Sequence, residues 1–130
     1  MDTEQFIESL NSCKTLFEVA RDLVYSLPYA DGEEAREEIL SRIDTIIGLM
    51  DSAGDTEVTH FKGGKYEILA VGKDSTNNAP VVIYIALYGD NTIWTRPLEE
   101  FFGYAINAEG VGVKRFFQEE NKLEVEYEKI

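Results

Sequence analysis

The sequence is poor in the residues that form covalent cross-links and metal centres. Among 130 residues it has one cysteine, Cys13, and one histidine, His60. A single cysteine excludes an intramolecular disulfide and fits a reducing compartment. Without a cysteine and histidine cluster we expect no zinc site and no cofactor. Cys13 lies on an apolar helical stripe, so a buried hydrophobic side chain explains it better than a reactive thiol.

Long hydrophobic runs and leader segments are also missing. No run reaches the roughly 18 apolar residues typical of a membrane-spanning helix. The first ten residues are acidic and lack the basic and apolar regions of a signal peptide. We therefore expect a cytoplasmic protein that does not associate with membranes.

Positive charge is scarce, and the charge is unevenly distributed. The formal net charge is −13, of which residues 1–58 contribute −10. Such a chain repels phosphate backbones, so general nucleic-acid binding is not expected. The acidic half is interpreted as a solvated helical surface or, alternatively, as a surface that contacts a protein partner.

Two amphipathic helices are predicted in residues 1–54. Apolar side chains recur at spacings of three and four over residues 3–27, and Thr15-x-x-Glu18 is typical of a cap that divides this segment. Pro28 ends it. A second helix is predicted over residues 32–51, and the two helices would form a hairpin. The apolar face of the second helix comprises Ile39, Leu40, Ile43, Ile46, Ile47 and Met50.

Residues 55–130 are predicted to form a small antiparallel β domain, because β-branched and aromatic runs alternate there with turn residues. Predicted strands span residues 56–61, 66–72, 80–88, 93–96, 114–117 and 123–127, and a helical turn spans 97–104. The apolar run 80–88 predicts a central strand buried on both faces. In strand 66–72, alternation places Tyr66, Ile68 and Ala70 on one face and Val71 on the other.

The expected fold class is therefore α+β. A helical hairpin would precede a small, strongly bent antiparallel sheet or a partly open SH3-like barrel, packed as one unit.

Three blocks of the β region occur in a recognisable order. They are His60-Phe61-Lys62-Gly63-Gly64-x-Tyr66-Glu67, Ala86-Leu87-Tyr88-Gly89-Asp90 and Trp94-x-Arg96-Pro97-Leu98-x-x-Phe101. Together they resemble the bacterial and phage family catalogued as domain of unknown function 1653, over about residues 58–118. That family has no established activity, so the resemblance implies a fold unit rather than a reaction.

The predicted architecture is also similar to that of phage anti-Thoeris sponge proteins. Those proteins bind cyclic ADP-ribose-type signals at a dimer interface and do not cleave them. This similarity implies a role in phage counter-defence within the cytoplasm of a bacterial host. Two narrow helical stripes and a small sheet leave apolar surface uncovered, so we expect a homo-oligomer, a homodimer or higher.

Aromatic and basic side chains converge on the predicted central strands. Trp94 and Arg96 are two residues apart, so they point to one face, and Tyr84 and Tyr88 share a face of the neighbouring strand. An aromatic ring stacks on a base and a guanidinium binds phosphate, so we expect a small anionic nucleotide-like ligand. The alternative is that Trp94 fills the core and Arg96 pairs with Glu99 or Glu100.

Four further residues are candidates for ligand contact, and each has a structural alternative. Asn91 suits a positive φ at a hairpin tip, and Arg115 suits a solubilising charge on an edge strand. His60 and Lys62 begin the first block, where a turn residue is the better explanation of His60. An enzyme that uses His60 or a carboxylate is a less favoured hypothesis, and we expect binding without catalysis.

Overall fold

The computed structural model describes Glu4 and residues 15–119, so Cys13 and the predicted strand at 123–127 lie outside the described residues. The helices are α1 (Leu16–Ser26), α2 (Glu33–Ser52) and α3 (Leu98–Phe101). The strands are β1 (Glu57–His60), β2 (Lys65–Lys73), β3 (Pro80–Ala86), β4 (Ile93–Pro97), β5 (Tyr104–Ile106), β6 (Gly112–Lys114) and β7 (Phe116–Phe117).

Local signals set the ends of the first two helices. Thr15 caps α1, because its hydroxyl oxygen accepts the N–H of Glu18 at 3.1 Å. The helix ends before Pro28, in a short 3-10 turn. Gly32 precedes α2 with a φ of 95°, and α2 packs against α1. The predicted apolar face of α2 is buried except for Leu40, which is half-buried. Within residues 15–119, no helix is both long and apolar enough to cross a membrane.

The strands form an open five-stranded antiparallel sheet in the order β4-β3-β2-β1-β7, and β5 and β6 form a separate two-stranded sheet. The predicted fold class is confirmed: helices precede a bent antiparallel sheet in an α+β fold. The core joins both helices to one face of the sheet.

The predicted facing of Val71 is wrong, because β2 contains a bulge. The β2–β3 register shifts between Ile68 and Ala70, and the extra residue, Leu69, is exposed. Beyond the bulge, Val71 packs against the core on the same side as Ile68. One inserted residue reverses the facing of every later residue in a strand, which strict alternation does not anticipate.

Two predictions about the central strand are also wrong. β3 ends at Ala86 rather than residue 88, because the N–H of Ala86 donates to the carbonyl of Thr92 and closes the hairpin there. The strand is not buried on both faces. Ile83 and Ile85 are only half-buried, since the helices cover the opposite face.

The predicted segments at 97–104 and 114–117 are each divided in the structure. Helix α3 ends at Phe101, and Tyr104 already begins β5. The strand predicted at 114–117 breaks at Arg115, because its N–H donates to the carbonyl of Gly103. The flanking residues therefore belong to β6 and β7, which lie in different sheets.

Aromatic rings fill the core between the helices and the sheet. Phe101 and Phe116 stack with ring centroids 4.1 Å apart and an interplanar angle of 13°. The buried Arg21 on α1 donates from Nη2 to the carbonyl of Phe116 at 2.9 Å, and its guanidinium lies 4.8 Å from the ring centroid of Phe17. Arg21 thereby connects α1 to β7.

Candidate functional site

Five side chains gather where the core-facing side of the sheet reaches the surface. We call them the tyrosine–arginine cluster. It comprises His60, Tyr66, Tyr84, Tyr88 and Arg96. Tyr66 is at its centre, with ring centroids 5.4 Å from Tyr84 and 5.5 Å from Tyr88 in edge-to-face arrangements. Tyr84 is buried, whereas Tyr88 is 53% exposed, so the cluster extends from the core to solvent.

The Gly63-Gly64 turn makes room for the outer tyrosines. Gly63 has a φ of 104°, which favours glycine. A Cβ atom on Gly64 would lie 3.1 Å from Cε1 of Tyr88 and 3.2 Å from Cε2 of Tyr66. The two phenols hydrogen-bond to each other. Burial and this hydrogen bond raise the pKa of Tyr66 to about 12, so its hydroxyl stays protonated at neutral pH.

Arg96 brings a guanidinium to the cluster. Its Nε donates to the Tyr84 hydroxyl at 3.3 Å, and its Nη1 donates to Oε1 of Glu100 at 2.7 Å. The side chain is 27% exposed. Within residues 15–119, Nη2 of Arg96 has no hydrogen-bond partner. The pairing with Glu100 is the one that the structural alternative expected, but it occupies only part of the guanidinium.

His60 lies among three cationic side chains. The ring centroid of His60 lies 5.0 Å from that of Phe116. The Arg96 guanidinium lies 6.0 Å from the same Phe116 centroid. Burial, and then the positive charges of Arg96, Arg115 and Lys62, lower the pKa of His60 below 6.5. The imidazole is therefore neutral at pH 7, and the electrostatic field around it is positive.

His60 makes a local hydrogen bond within the turn that follows β1, as expected if it is a turn residue. Its Nδ1 accepts the backbone N–H of Lys62 at 3.2 Å. In the neutral ring this places the proton on Nε2. The ring can therefore donate one hydrogen bond from Nε2 to a ligand.

Trp94 is directly opposite Tyr84 in the β3–β4 register, so both side chains lie on one face. Trp94 is 51% exposed, and the alternative in which it fills the core is wrong. Asn91 has a φ of 54°, and its Nδ2 donates to the carbonyl of Ala86 at 2.9 Å. Its side chain therefore stabilises the hairpin, and its contact with a ligand stays a prediction.

Arg115 lies at the break between β6 and β7. Its Nη2 donates to the carbonyl of Tyr104 at 3.2 Å, and its buried Nε has no hydrogen-bond partner in the described part of the chain. It contributes charge near His60 from the side of the small sheet. The structure thus brings Arg115 and Lys62 into the electrostatic surroundings of the cluster.

Tyr66 is the residue that the sequence interpretation missed as a site residue. The alternation of its strand predicts only that it shares a face with Ile68 and Ala70, yet its ring contacts His60, Tyr84 and Tyr88. Its place in the first motif block, just after the two glycines, is the signal that marks it. In residues 15–119, no group of three or more His, Cys, Asp or Glu side chains is arranged to hold a metal ion.

The strands and the cluster fall within one family match. Residues 56–118 match DUF1653, a protein family of unknown function. The resemblance predicted from the three motif blocks is confirmed over this DUF1653 segment, which contains β1–β7 and the whole cluster.

One solved structure is similar to the chain. It is the crystal structure of a protein described as belonging to DUF1653 from Bordetella bronchiseptica. The two are 25% identical, the match covers 48% of this chain and 81% of that chain, and the TM-score is 0.42. No curated protein matches the chain.

Proposed function

We propose that the DUF1653 segment binds a small anionic ligand that carries a planar ring, such as a nucleotide, and does not convert it. The observation that carries the proposal is the gathering of Arg96, Arg115 and Lys62 around a neutral His60. This positive field occurs in a chain of net charge −13, where a chance cluster of cations is not expected.

The groups of the cluster suit the two parts of such a ligand. Nη2 of Arg96 and Nε2 of His60 are directional donors for phosphate oxygens. The exposed rings of Trp94 and Tyr88 offer apolar surfaces for a base, and base–aromatic stacking contributes about 1–3 kcal/mol per base. The guanidinium is partly buried, so its interaction with an anion is less screened than at the open surface.

The narrower form of the proposal is sequestration of a cyclic nucleotide or a cyclic ADP-ribose-type immune signal by a homodimer. Two features support association of two copies. Among the strands of residues 15–119, β4 lies at an edge of the sheet, and its residues Ile93 and Trp94 are exposed. Unpaired edges with exposed apolar side chains favour pairing with another chain.

Isothermal titration calorimetry with adenosine monophosphate, cyclic AMP and cyclic ADP-ribose tests this proposal, with adenosine as the uncharged control. We expect saturable binding of at least one anion that weakens with salt, and recovery of that anion intact by mass spectrometry. Arg96→Gln should weaken binding at least about tenfold, since hydrogen bonds to charged groups contribute about 1.5–3 kcal/mol.

Arg42→Gln is the matched control. Arg42 pairs with Glu38 at 2.7 Å with the same i,i+4 spacing as Arg96 and Glu100, but it lies on α2. It should bind like the unmodified protein. Binding that survives Arg96→Gln, or recovery of a chemically altered ligand, would refute the proposal.

A second candidate function is supported by the surface of α2. Its first turns expose Glu33, Glu34, Glu37 and Glu38, and the preceding Tyr29 is 86% exposed. Such a surface suits a protein partner with a basic face. In that case partner capture should weaken with salt and persist in Arg96→Gln.

A further inference from the structure

A separate cleft lies beside the β5–β6 sheet. Its volume is about 460 Å³, within the range of about 300–1,000 Å³ found for small-molecule sites. It is lined by Phe61, Tyr104, Asn107, Gly112, Val113, Lys114 and Phe117. Phe116 contacts the tyrosine–arginine cluster, whereas the next residue, Phe117, lines the cleft. Successive strand residues point to opposite faces, so β7 separates the two sites.

The chemistry of the lining favours an anion with an apolar body. Three aromatic rings form much of the wall, and none of the seven lining residues is acidic, in a chain with 25 acidic residues. Lys114 is the cation of the cleft, and among the described residues its ammonium has no ion-pair partner.

Asn107 supplies a second donor. Its Oδ1 accepts the N–H groups of Glu109 and Val111, each at 3.0 Å. These bonds hold the amide in place across the β5–β6 turn. They leave its Nδ2 without a hydrogen-bond partner in residues 15–119. A fixed amide donor and a flexible ammonium therefore line one apolar cleft.

We propose that this cleft is a second ligand site, and that it takes a small organic anion with a flat ring system, such as an aromatic carboxylate or sulfonate. The anionic group accepts hydrogen bonds from Lys114 Nζ and Asn107 Nδ2, and the ring lies against Phe61, Tyr104 and Phe117. Charge complementarity selects the occupant, because a neutral apolar molecule would form no charged hydrogen bond with either donor.

The probe for this site is 1-anilinonaphthalene-8-sulfonate, a flat sulfonate whose fluorescence rises in apolar surroundings. Fluorescence titration detects its binding, and two-dimensional amide NMR of the 15N-labelled protein locates each site and gives its affinity. We expect saturable shifts at the amides of Phe61, Asn107, Gly112 and Lys114, read separately from any shifts at the tyrosine–arginine cluster, which also suits a planar anion.

Three variants separate charge from shape. Lys114→Gln should weaken binding about fivefold, the effect of losing one partly exposed ion pair, and Lys114→Arg should restore it. Gly112→Leu should abolish binding. Gly112 belongs to the wall of the cleft, and a Cβ atom there meets no atom within 4 Å, so a leucine side chain has room to occupy the space of the ligand.

The matched control is Lys73→Gln, which removes an exposed cation on β2 that lies 4.0 Å from Glu37. It should leave the affinity read at the cleft amides unchanged, and so should Arg96→Gln, which distinguishes this site from the tyrosine–arginine cluster. The proposal would be overturned by the absence of saturable shifts at the cleft amides. It would also be overturned if Lys114→Gln and Gly112→Leu variants that keep the native amide spectrum bound the probe there as tightly as the unmodified protein.

Discussion

Replacing Glu100 by Gln should increase the affinity of the tyrosine–arginine cluster for an anion. Oε1 of Glu100 lies 2.7 Å from Nη1 of Arg96, so this carboxylate neutralises part of the positive charge that a phosphate bound at Nη2 would meet. The pair is half-exposed, with 27% of the Arg96 side chain and 47% of the Glu100 side chain accessible. Such pairs contribute about 0.3–1 kcal/mol.

That range converts to a Kd for an anionic nucleotide that is about two- to fivefold lower in Glu100→Gln, since 1.4 kcal/mol corresponds to tenfold. The measurement is calorimetric titration at low salt and at about 0.5 M salt. At about 0.5 M the Debye length is roughly 4 Å, so the gain in affinity of Glu100→Gln should shrink. The same substitution removes an ion pair, so the melting temperature should fall by about 1–5 °C. Affinity and stability would thus change in opposite directions.

Glu99→Gln is the control for net charge. Glu99 is adjacent in sequence, but its nearest basic partner is Arg36 at 3.9 Å rather than Arg96. It should change the affinity by less than Glu100→Gln does. If both variants bind alike, or if Glu100→Gln binds more weakly, Arg96 does not contact the ligand and the reasoning fails.

Four further predictions concern the fold and the site. Folding lowers the pKa of His60 through burial and nearby cations, so the unfolded chain binds the proton more tightly. Stability in urea should therefore decrease as pH falls below about 6.5, and a His60→Gln variant should lack that component. Phe101→Ala removes a stacked core ring and should lower the free energy of unfolding by about 3–5 kcal/mol; a loss under about 1 kcal/mol in urea titration would contradict the packing. Arg21→Met leaves the Phe116 carbonyl without its donor and should cost about 1–3 kcal/mol in the same assay, whereas an unchanged midpoint would show that the bond contributes nothing. Gly64→Ala should displace the outer tyrosines and weaken nucleotide binding measured by calorimetry; equal affinity would show that the tyrosine pair is not part of the site.

Much of the local structure was predictable because its causes lie within a few residues of one another. Thr15 caps its helix through a bond to Glu18, three residues later, and Pro28 ends it by steric exclusion. Gly63 marks a turn because its φ is positive. The α+β class and the DUF1653 segment follow from the same short-range patterns, repeated along the chain.

The errors arose where distant residues decide the outcome. The bulge at Leu69 is a property of how β2 pairs with β3, and no residue of β2 alone requires it. Arg115 breaks a run that reads as one strand, because its backbone N–H donates to Gly103 and closes the β5–β6 hairpin, whereas Phe116 and Phe117 pair with β1. Tyr66 was overlooked because its neighbours come from three other strands or turns.

The sequence by itself determined the helix ends, the turns, the strand segments and the supply of tyrosine, tryptophan and arginine in the motif blocks. Only the tertiary structure decided that His60 and Arg96 share one aromatic neighbour, Phe116, which lies more than fifty residues from the first and twenty from the second. The physical reason is that caps and turns depend on bonds between near neighbours, whereas a binding surface depends on sheet order. Strand register places those charges side by side, and register is a property of pairs of strands.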